Sequence, residues 1–377
     1  MAGLTEEEIE KRIADSYELP NNVLQAGSQP LVTVRTSTYN HGPYIRECIE
    51  GVLAQKTDFP FELIIGEDFS TDGTREIVFE YAKKYPDIIR VITADYNVGA
   101  KANGRRCIQV ARGKYMAICE GDDYWHDPDK LQRQVDILEA DPEVSLVATD
   151  ADALFVKNGR RIVSVTKRTG QLDGLDSITD MTAALIKRQI NLFACSVCMR
   201  SDYYVQLRNK NSYEFSSRFK MGDVQTWWEM SRMGRIVIIP ESMATYRVMK
   251  HSASHSPDRM KIFDFYVNSL ELHEHYVKKF GYGEDMLNAV RRAHLGVLLD
   301  VALRLKREDL REKSLDIIES IPTGLNLPDG IMAWGAKSPL RFTLLAPVWP
   351  AVAFGCKVLA RLYREAKRVV RKVKWTK

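Results

Sequence analysis

The sequence predicts an α/β protein built on a largely parallel sheet, and three observations carry that prediction. Strand-like and helix-like segments alternate through the first 150 residues. The helical segments are long enough to cross back over a sheet, and a polar cluster follows three of the strands.

"PLVTVRT" reads as a β-branched strand, and "PYIRECIEGVLAQ" then places Ile45, Cys48, Ile49, Val52 and Leu53 at helical spacing, with Pro43 suited to a first turn. "FELIIG" is the next strand, followed by "STDGTREIVFEYAKKYPD", whose Ser/Thr/Asp cluster suits the start of a helix that ends before Pro86. "IIRVITAD" and "RRCIQVARG" repeat the unit. "KYMAICEGDDYW" leads into "DPDKLQRQVDILEADPE", with Leu131, Val135 and Leu138 on one face. The order is β-α-β-α-β-α-β-α-β, ending near "VSLVATD".

Ligands of such sheets bind beyond the carboxyl ends of the strands. "TSTYN", "EDFSTDGT" and "EGDDYW" fall at those ends and are expected to converge on one crevice. Singly, each has the composition of an ordinary loop or helix cap. No GxGxxG follows the first strand, which argues against an NAD-type dinucleotide fold, and no GxxxxGK[ST] phosphate loop is present. The three acids of Glu120-Gly121-Asp122-Asp123 repel one another unless a positive charge sits among them. Adjacent aspartates can hold a hard divalent cation that bridges to a diphosphate, and this is the expected purpose of the loop.

The 377 residues are enough for more than one domain. Formal net charge is +4, yet residues 357–377 hold nine Lys/Arg against Glu365, which leaves the remainder of the chain about −4. A basic tail on a mildly acidic body points to a local anionic surface rather than to nucleic acid. The six cysteines are scattered and the N-terminal stretch is acidic and polar, without a signal-peptide apolar region, so a reducing cytosol is expected. Cys195 and Cys198 form a lone CxxC in a strand-like stretch and are expected in the core rather than on zinc.

"VTVRTSTYNHGPYIRECIEGVLAQ", "FELIIGEDFSTDGTREI", "NVGAKANGRRCIQVARGKYMAICEGDDYW" and "DKLQRQVDILEADPE" together resemble the family 2 glycosyltransferases, inverting enzymes with the GT-A fold. The resemblance covers roughly residues 31–255, and the ordered series of blocks is more specific than any one of them. It implies that Ser37 and Tyr39 cradle the nucleotide base, and that Asp68 accepts a hydrogen bond from it, which favours a UDP-type donor. Asp122 then lies toward the sugar or ribose and Asp123 is the ligand of a divalent metal, Mn2+ or Mg2+. "GDD" replaces the spaced Asp-x-Asp of the family pattern. "FKMGDVQTWWEM" matches the acceptor block, which implies that Asp223 is the general base of an inverting displacement. Trp227 and Trp228 suggest a sugar platform, although adjacent helical positions put at least one in the core. In "YRVMKHSASHS", Arg247 suits a phosphate and His251 or His255 a metal.

The expected organisation is a catalytic domain over 1–255, with nucleotide-sugar binding in 31–150 and the acceptor part in 151–255. A helical region over 256–330 either packs on that domain or pairs subunits into a homo-oligomer, and "IPTGLNLPDG" reads as a linker. The last region, 331–377, joins "FTLLAPVWPAVAFGC", too short to span a bilayer, to an amphipathic basic stretch suited to an anionic membrane surface. The expected protein is therefore a peripheral enzyme of the cytoplasmic membrane face that passes a sugar from a nucleotide donor to a glycan or lipid-linked glycan in cell-surface polysaccharide synthesis. The alternative is a non-catalytic nucleotide-sugar-binding or scaffold protein in which Asp223 only caps a helix.

Overall fold

The computed structural model describes residues 4–23, 29–175, 178–208, 213–216, 218–249, 256–320, 327–353 and 356. The chain divides into two compact units, Met1–Lys250 and His251–Lys377.

The first unit opens with α1 (Glu6–Ala14), started by a capping box in which Thr5 and Glu8 each accept the other's backbone N–H. There follow β1 (Tyr17–Glu18), β2 (Val32–Thr38), α2 (Ile45–Leu53), β3 (Phe61–Glu67), α3 (Thr74–Lys84), β4 (Ile89–Thr93), α4 (Ala100–Gln109) and β5 (Tyr115–Ile118). Strands β4, β3, β2 and β5 lie side by side and parallel, with Val34 opposite both Leu63 and Ala117. All residues of β4 and β5, and nearly all of β2 and β3, are buried, because helices cover both faces of such a sheet. Helix α3 starts after Gly73, whose φ of 92° stops the preceding Ser/Thr/Asp run from being the cap residue itself. Asp72 still serves the helix start, accepting from the Thr74 N–H at 3.2 Å.

Beyond β5 the chain adds β6 (Tyr124–Trp125), α5 (Lys130–Ala140), β7 (Val144–Phe155) and β8 (Arg160–Ile162). The short helices α6 (Val165–Arg168) and α7 (Met181–Ile186) lead to β9 (Val197–Arg200), α8 (Ser201–Arg208), α9 (Val224–Met233) and β10 (Arg235–Val248). The sheet order is β1-β4-β3-β2-β5-β9-β7-β10-β6, with β8 on the side of β7. Strand β7 is thus not the neighbour of β5 that the simple alternation suggests. Strand β9, which starts between the two cysteines of the CxxC, inserts between β5 and β7 antiparallel to both, and Cys195 and Cys198 are fully buried.

The core between sheet and helices contains Val34, Ile49, Leu63, Val91, Leu131 and Val147. Charged residues buried in β2, β3 and β4 are paired. Glu62 is fully buried between Arg90 at 3.1 Å and Arg112 at 2.9 Å, and Arg90 also binds Glu18 at 2.7 Å.

The second unit consists of α10 (Arg259–Lys279), α11 (Glu284–Leu305), α12 (Glu308–Glu319), α13 (Leu327–Ala336) and α14 (Pro339–Leu345). Its core joins Phe263, Leu298 and Leu310 to Met332, Phe342 and Trp349. Half of the apolar run near the C-terminus is therefore core. Helix α13 takes up the end of the stretch read as a linker, with Pro328 in its first turn, where no intrahelical N–H is needed. Among the described residues no helix is long and apolar enough to cross a membrane. The basic stretch 357–377, and with it the expected amphipathic helix, lies outside the described residues.

Candidate active site

Ser37, Tyr39, Asp68, Asp122, Asp123 and Asp223 all line one cleft of about 680 Å³ in the first unit. The parallel strands deliver the first five, because the loops leaving β2, β3 and β5 open at the same end of the sheet. Helix α9 delivers the sixth.

At the end of β2, Ser37 Oγ accepts from Arg35 Nη1 at 3.0 Å, and Tyr39 is exposed. The next residue, Asn40, sits at a φ of 54° and accepts through Oδ1 from the Thr71 N–H at 2.9 Å, which ties the loops after β2 and β3 together. At the end of β3, Asp68 accepts the N–H groups of Val98 at 2.7 Å and Gly99 at 3.0 Å, so it fixes the entry to α4. Burial raises its pKa, with the Val98 amide and the Arg106 guanidinium pulling the other way.

The acid loop after β5 divides its three carboxylates between different tasks. Glu120 is held by Arg35 Nη2 at 2.5 Å and by the Ser37 N–H at 3.1 Å, so the first acid is neutralised by the protein itself. Gly121 lies so close to β2 that a Cβ would stand 2.6 Å from Thr38 Oγ1; only glycine fits without moving the loop. Asp123 is buried, and its Oδ1 accepts the Arg247 N–H at 2.8 Å. Burial and the neighbouring Asp122 push the Asp123 pKa well up, while burial and Glu120 raise that of Asp122 against the pull of His41.

Arg247 does not take the phosphate-facing position expected of it. Its side chain is buried over the rings of Tyr44 and Tyr124, pairs with Glu47, and donates from Nη1 to the Asp122 carbonyl at 2.8 Å. It clamps the acid loop from behind. His251 and His255 lie outside the described residues.

Asp223 is the residue before α9, and its Oδ1 accepts the Val224 N–H at 2.9 Å. The side chain is open to the cleft, yet the walls around it raise its pKa by desolvation, with Glu120 adding to the effect. Trp227 and Trp228 are both buried, so neither presents a ring face as a platform; Trp227 alone forms part of the cleft wall.

Among the cleft residues to which the sequence reading gave no role are Arg35, Lys101, Arg208 and Tyr246. Arg35 carried a signal, a cation within an otherwise buried strand. Lys101 donates to the carbonyls of Phe215, at 3.3 Å, and Ser216; burial, with Arg208 nearby, brings its pKa down to about 8. Burial, then Asp123, Asp122 and Asp223, raises the Tyr246 pKa, so its hydroxyl stays protonated as a donor among three acids.

Among the described residues no group of three His, Cys, Asp or Glu side chains forms a ready-made metal site. Asp122 and Asp123 nonetheless fit a hard divalent cation, since two adjacent carboxylates meet the need of an ion that takes its other ligands from water and substrate phosphates.

Residues 33–193 match the family model described as Glycosyl transferase family 2. An uncharacterized protein of Mycobacterium tuberculosis is 32% identical over 241 residues, which cover 62% of this chain and 64% of the relative. The chain thus spans somewhat less than two thirds of that relative's length. TuaG of Bacillus subtilis, named for teichuronic acid biosynthesis as a glycosyltransferase, is 37% identical over 110 residues, 29% of this chain and 42% of TuaG. Among solved structures, Staphylococcus aureus TarS 1-349 in complex with UDP-GlcNAc superposes with a TM-score of 0.57 at 15% identity, covering 85% of this chain and 91% of TarS 1-349. The shared fold is the GT-A fold, with its mostly parallel central sheet and, here, C-terminal helices.

Proposed function

We propose that this chain is an inverting, metal-dependent glycosyltransferase that moves a sugar from a UDP-type donor to a glycan or lipid-linked glycan in cell-surface polysaccharide synthesis. The observation that supports it most is the meeting in one cleft of an adjacent acid pair, Asp122 and Asp123, with a separately held carboxylate of raised pKa, Asp223. Ser37 and Tyr39 hold the base. Asp68 keeps lone pairs beyond the two backbone amides it already accepts, which suits the ring N–H of a uracil. Asp122 faces the ribose or sugar. Asp123 would hold Mn2+ or Mg2+, which when bound would supply positive charge to the departing diphosphate.

Asp223 takes the proton of the acceptor hydroxyl as that oxygen bonds to the anomeric carbon. The bond from that carbon to the diphosphate breaks, and its electron pair leaves with the nucleotide. A base with a raised pKa is better matched to a hydroxyl than an ordinary aspartate. The TarS complexes with UDP-GlcNAc and with UDP, and the name of TuaG, lend support to the donor and the pathway class. The charge of residues 357–377 supports work as a peripheral protein on the cytoplasmic face of an anionic membrane.

The bond from the Val224 N–H to Asp223 also suits the second reading, a binding protein in which this residue is only a cap. Incubation with a panel of labelled nucleotide sugars separates the two. Metal-dependent release of UDP, abolished by chelator and by Asp123→Ala, is the expected result. Tight donor binding without any turnover across the panel would favour the binding protein, and full activity in chelator would remove the metal from the proposal.

A further inference from the structure

The C-terminal apolar run has two sides. Phe342, Leu345, Ala346, Trp349 and Ala353 turn into the core of the second unit. Leu340, Leu344 and Val348, four residues apart, point the other way and are 69%, 65% and 53% exposed. Trp334 on α13 is 54% exposed, and the guanidinium of Arg341 lies 4.8 Å from its ring centre. Lys337, Pro339, Pro347, Pro350 and Ala351 are exposed as well. So many large apolar side chains left in water within one short stretch are not what solubility selects.

The charges say what covers this face. Between residues 330 and 356 the chain has Lys337 and Arg341 and no acid, and the nine Lys/Arg of 357–377 follow directly with only Glu365 against them. A second copy of so cationic a surface would repel the first. A tryptophan beside an arginine, with leucines next to them, is instead the composition that settles at the boundary between lipid headgroups and acyl chains.

We propose that Trp334, Leu340, Leu344 and Val348, with Lys337 and Arg341 among them, form a membrane-seated face that inserts shallowly into an anionic bilayer. This rests on the peripheral-membrane part of the proposed function and assigns the insertion to one folded face, where the sequence alone pointed to the whole of residues 331–377. The face supplies the part of the binding that salt does not screen; the tail supplies the part that it does.

The test uses the full chain and vesicles of phosphatidylcholine with about a third phosphatidylglycerol, at salt from about 0.1 M to about 1 M. The triple variant Leu340→Ser/Leu344→Ser/Val348→Ser changes only exposed side chains, and an unchanged melting temperature checks its folding. It is expected to lose about tenfold or more of the binding, with the loss persisting at high salt. Arg368→Gln/Arg371→Gln/Lys372→Gln is expected to weaken binding at low salt only. If the triple variant binds like the parent while the tail variant does not bind, the tail is the anchor and the face is not. If the parent sediments as a dimer that Leu344→Asp splits without changing vesicle binding, the face belongs to a second copy. If the parent ignores vesicles altogether, the peripheral reading falls with it. UDP release measured without vesicles reports on the glycosyltransferase reading separately.

Discussion

Arg35 Nη2 lies 2.5 Å from Glu120 Oε1, across the gap between the middle of β2 and the acid loop that follows β5. Arg35 is buried and Glu120 only partly so, and the same carboxylate also accepts the Ser37 N–H. The pair therefore does two things: it removes one of three negative charges from the loop, and it sets where Ser37 and the two aspartates stand.

Glu120→Gln keeps the shape but leaves the Arg35 guanidinium without its counter-charge. Removing one partner from such a buried contact costs about 1–3 kcal/mol, so urea unfolding should show a loss in that range. Donor affinity should fall as well, because the loop loses its anchor. Unchanged stability together with unchanged affinity would mean that the contact contributes nothing.

Asp223→Asn tests the base. The amide preserves the oxygen that accepts the Val224 N–H but has no basic lone pair at neutral pH, so turnover should fall by roughly 10²-fold or more while donor affinity holds. The sign of the pH dependence follows from the raised pKa. The carboxylate form is the active one, so activity is full above the raised value and is lost as pH falls through it, at a higher pH than an unperturbed aspartate near about 3.9 would give. An acid limb at the ordinary position, or an active Asn variant, would assign the proton transfer elsewhere.

Five of the six candidate residues were legible because each belongs to a short contiguous motif at a strand end, and a parallel sheet brings such ends together whatever the details of packing; the sixth, Asp223, stands in a short motif at the start of α9. What stayed illegible is what depends on partners far apart in the chain. Arg35 and Glu120 are 85 residues apart, and the Arg247 N–H and Asp123 124 apart. "YRV" reads equally as a phosphate-facing arginine or as a clamp, and only the Tyr44 and Tyr124 rings, brought in from α2's approach and from β6, decide for the clamp. The antiparallel β9 was hidden for a similar reason: a four-residue strand carries no mark of its neighbours or its direction.

Lys130 is buried over the Trp125 ring at 4.1 Å, with its ammonium donating to Gln134 Oε1 at 2.7 Å, and burial brings its pKa down to about 8. An unfolded lysine titrates near about 10.4, so below about pH 8 both states keep the proton and the folded state bears the whole penalty, on the order of 3 kcal/mol. Between those values the unfolded state holds more protons, and stability rises with pH. Lys130→Met removes the titration. The melting-temperature difference between variant and parent should therefore shift in the parent's favour from pH 7 to pH 10; a difference that stays constant would show that this lysine keeps an ordinary pKa in the fold.

The C-terminal region should tolerate one truncation and not another. Ending the chain after residue 356 removes the basic stretch but keeps Phe342, Leu345, Trp349 and Ala353 in the core of the second unit. Ending it after residue 341 removes all four. Trp349 is among the largest fully buried side chains, and its Nε1 donates to Asp300 Oδ1 at 2.8 Å, so its loss both opens a cavity and strips a hydrogen-bond donor from a carboxylate that also pairs with Arg304 and Arg259. Loss of a single buried tryptophan or phenylalanine costs about 3–5 kcal/mol, and two of them together approach the whole stability of a domain. The shorter chain is expected to lose helical circular dichroism and to melt without a second-unit transition, while the longer one melts like the parent. UDP release should survive the longer truncation, since every candidate catalytic residue lies in the first unit. If the chain ending at residue 341 keeps its full helicity and melting temperature, the apolar run is not core, and the inward half of it belongs with the exposed half as surface.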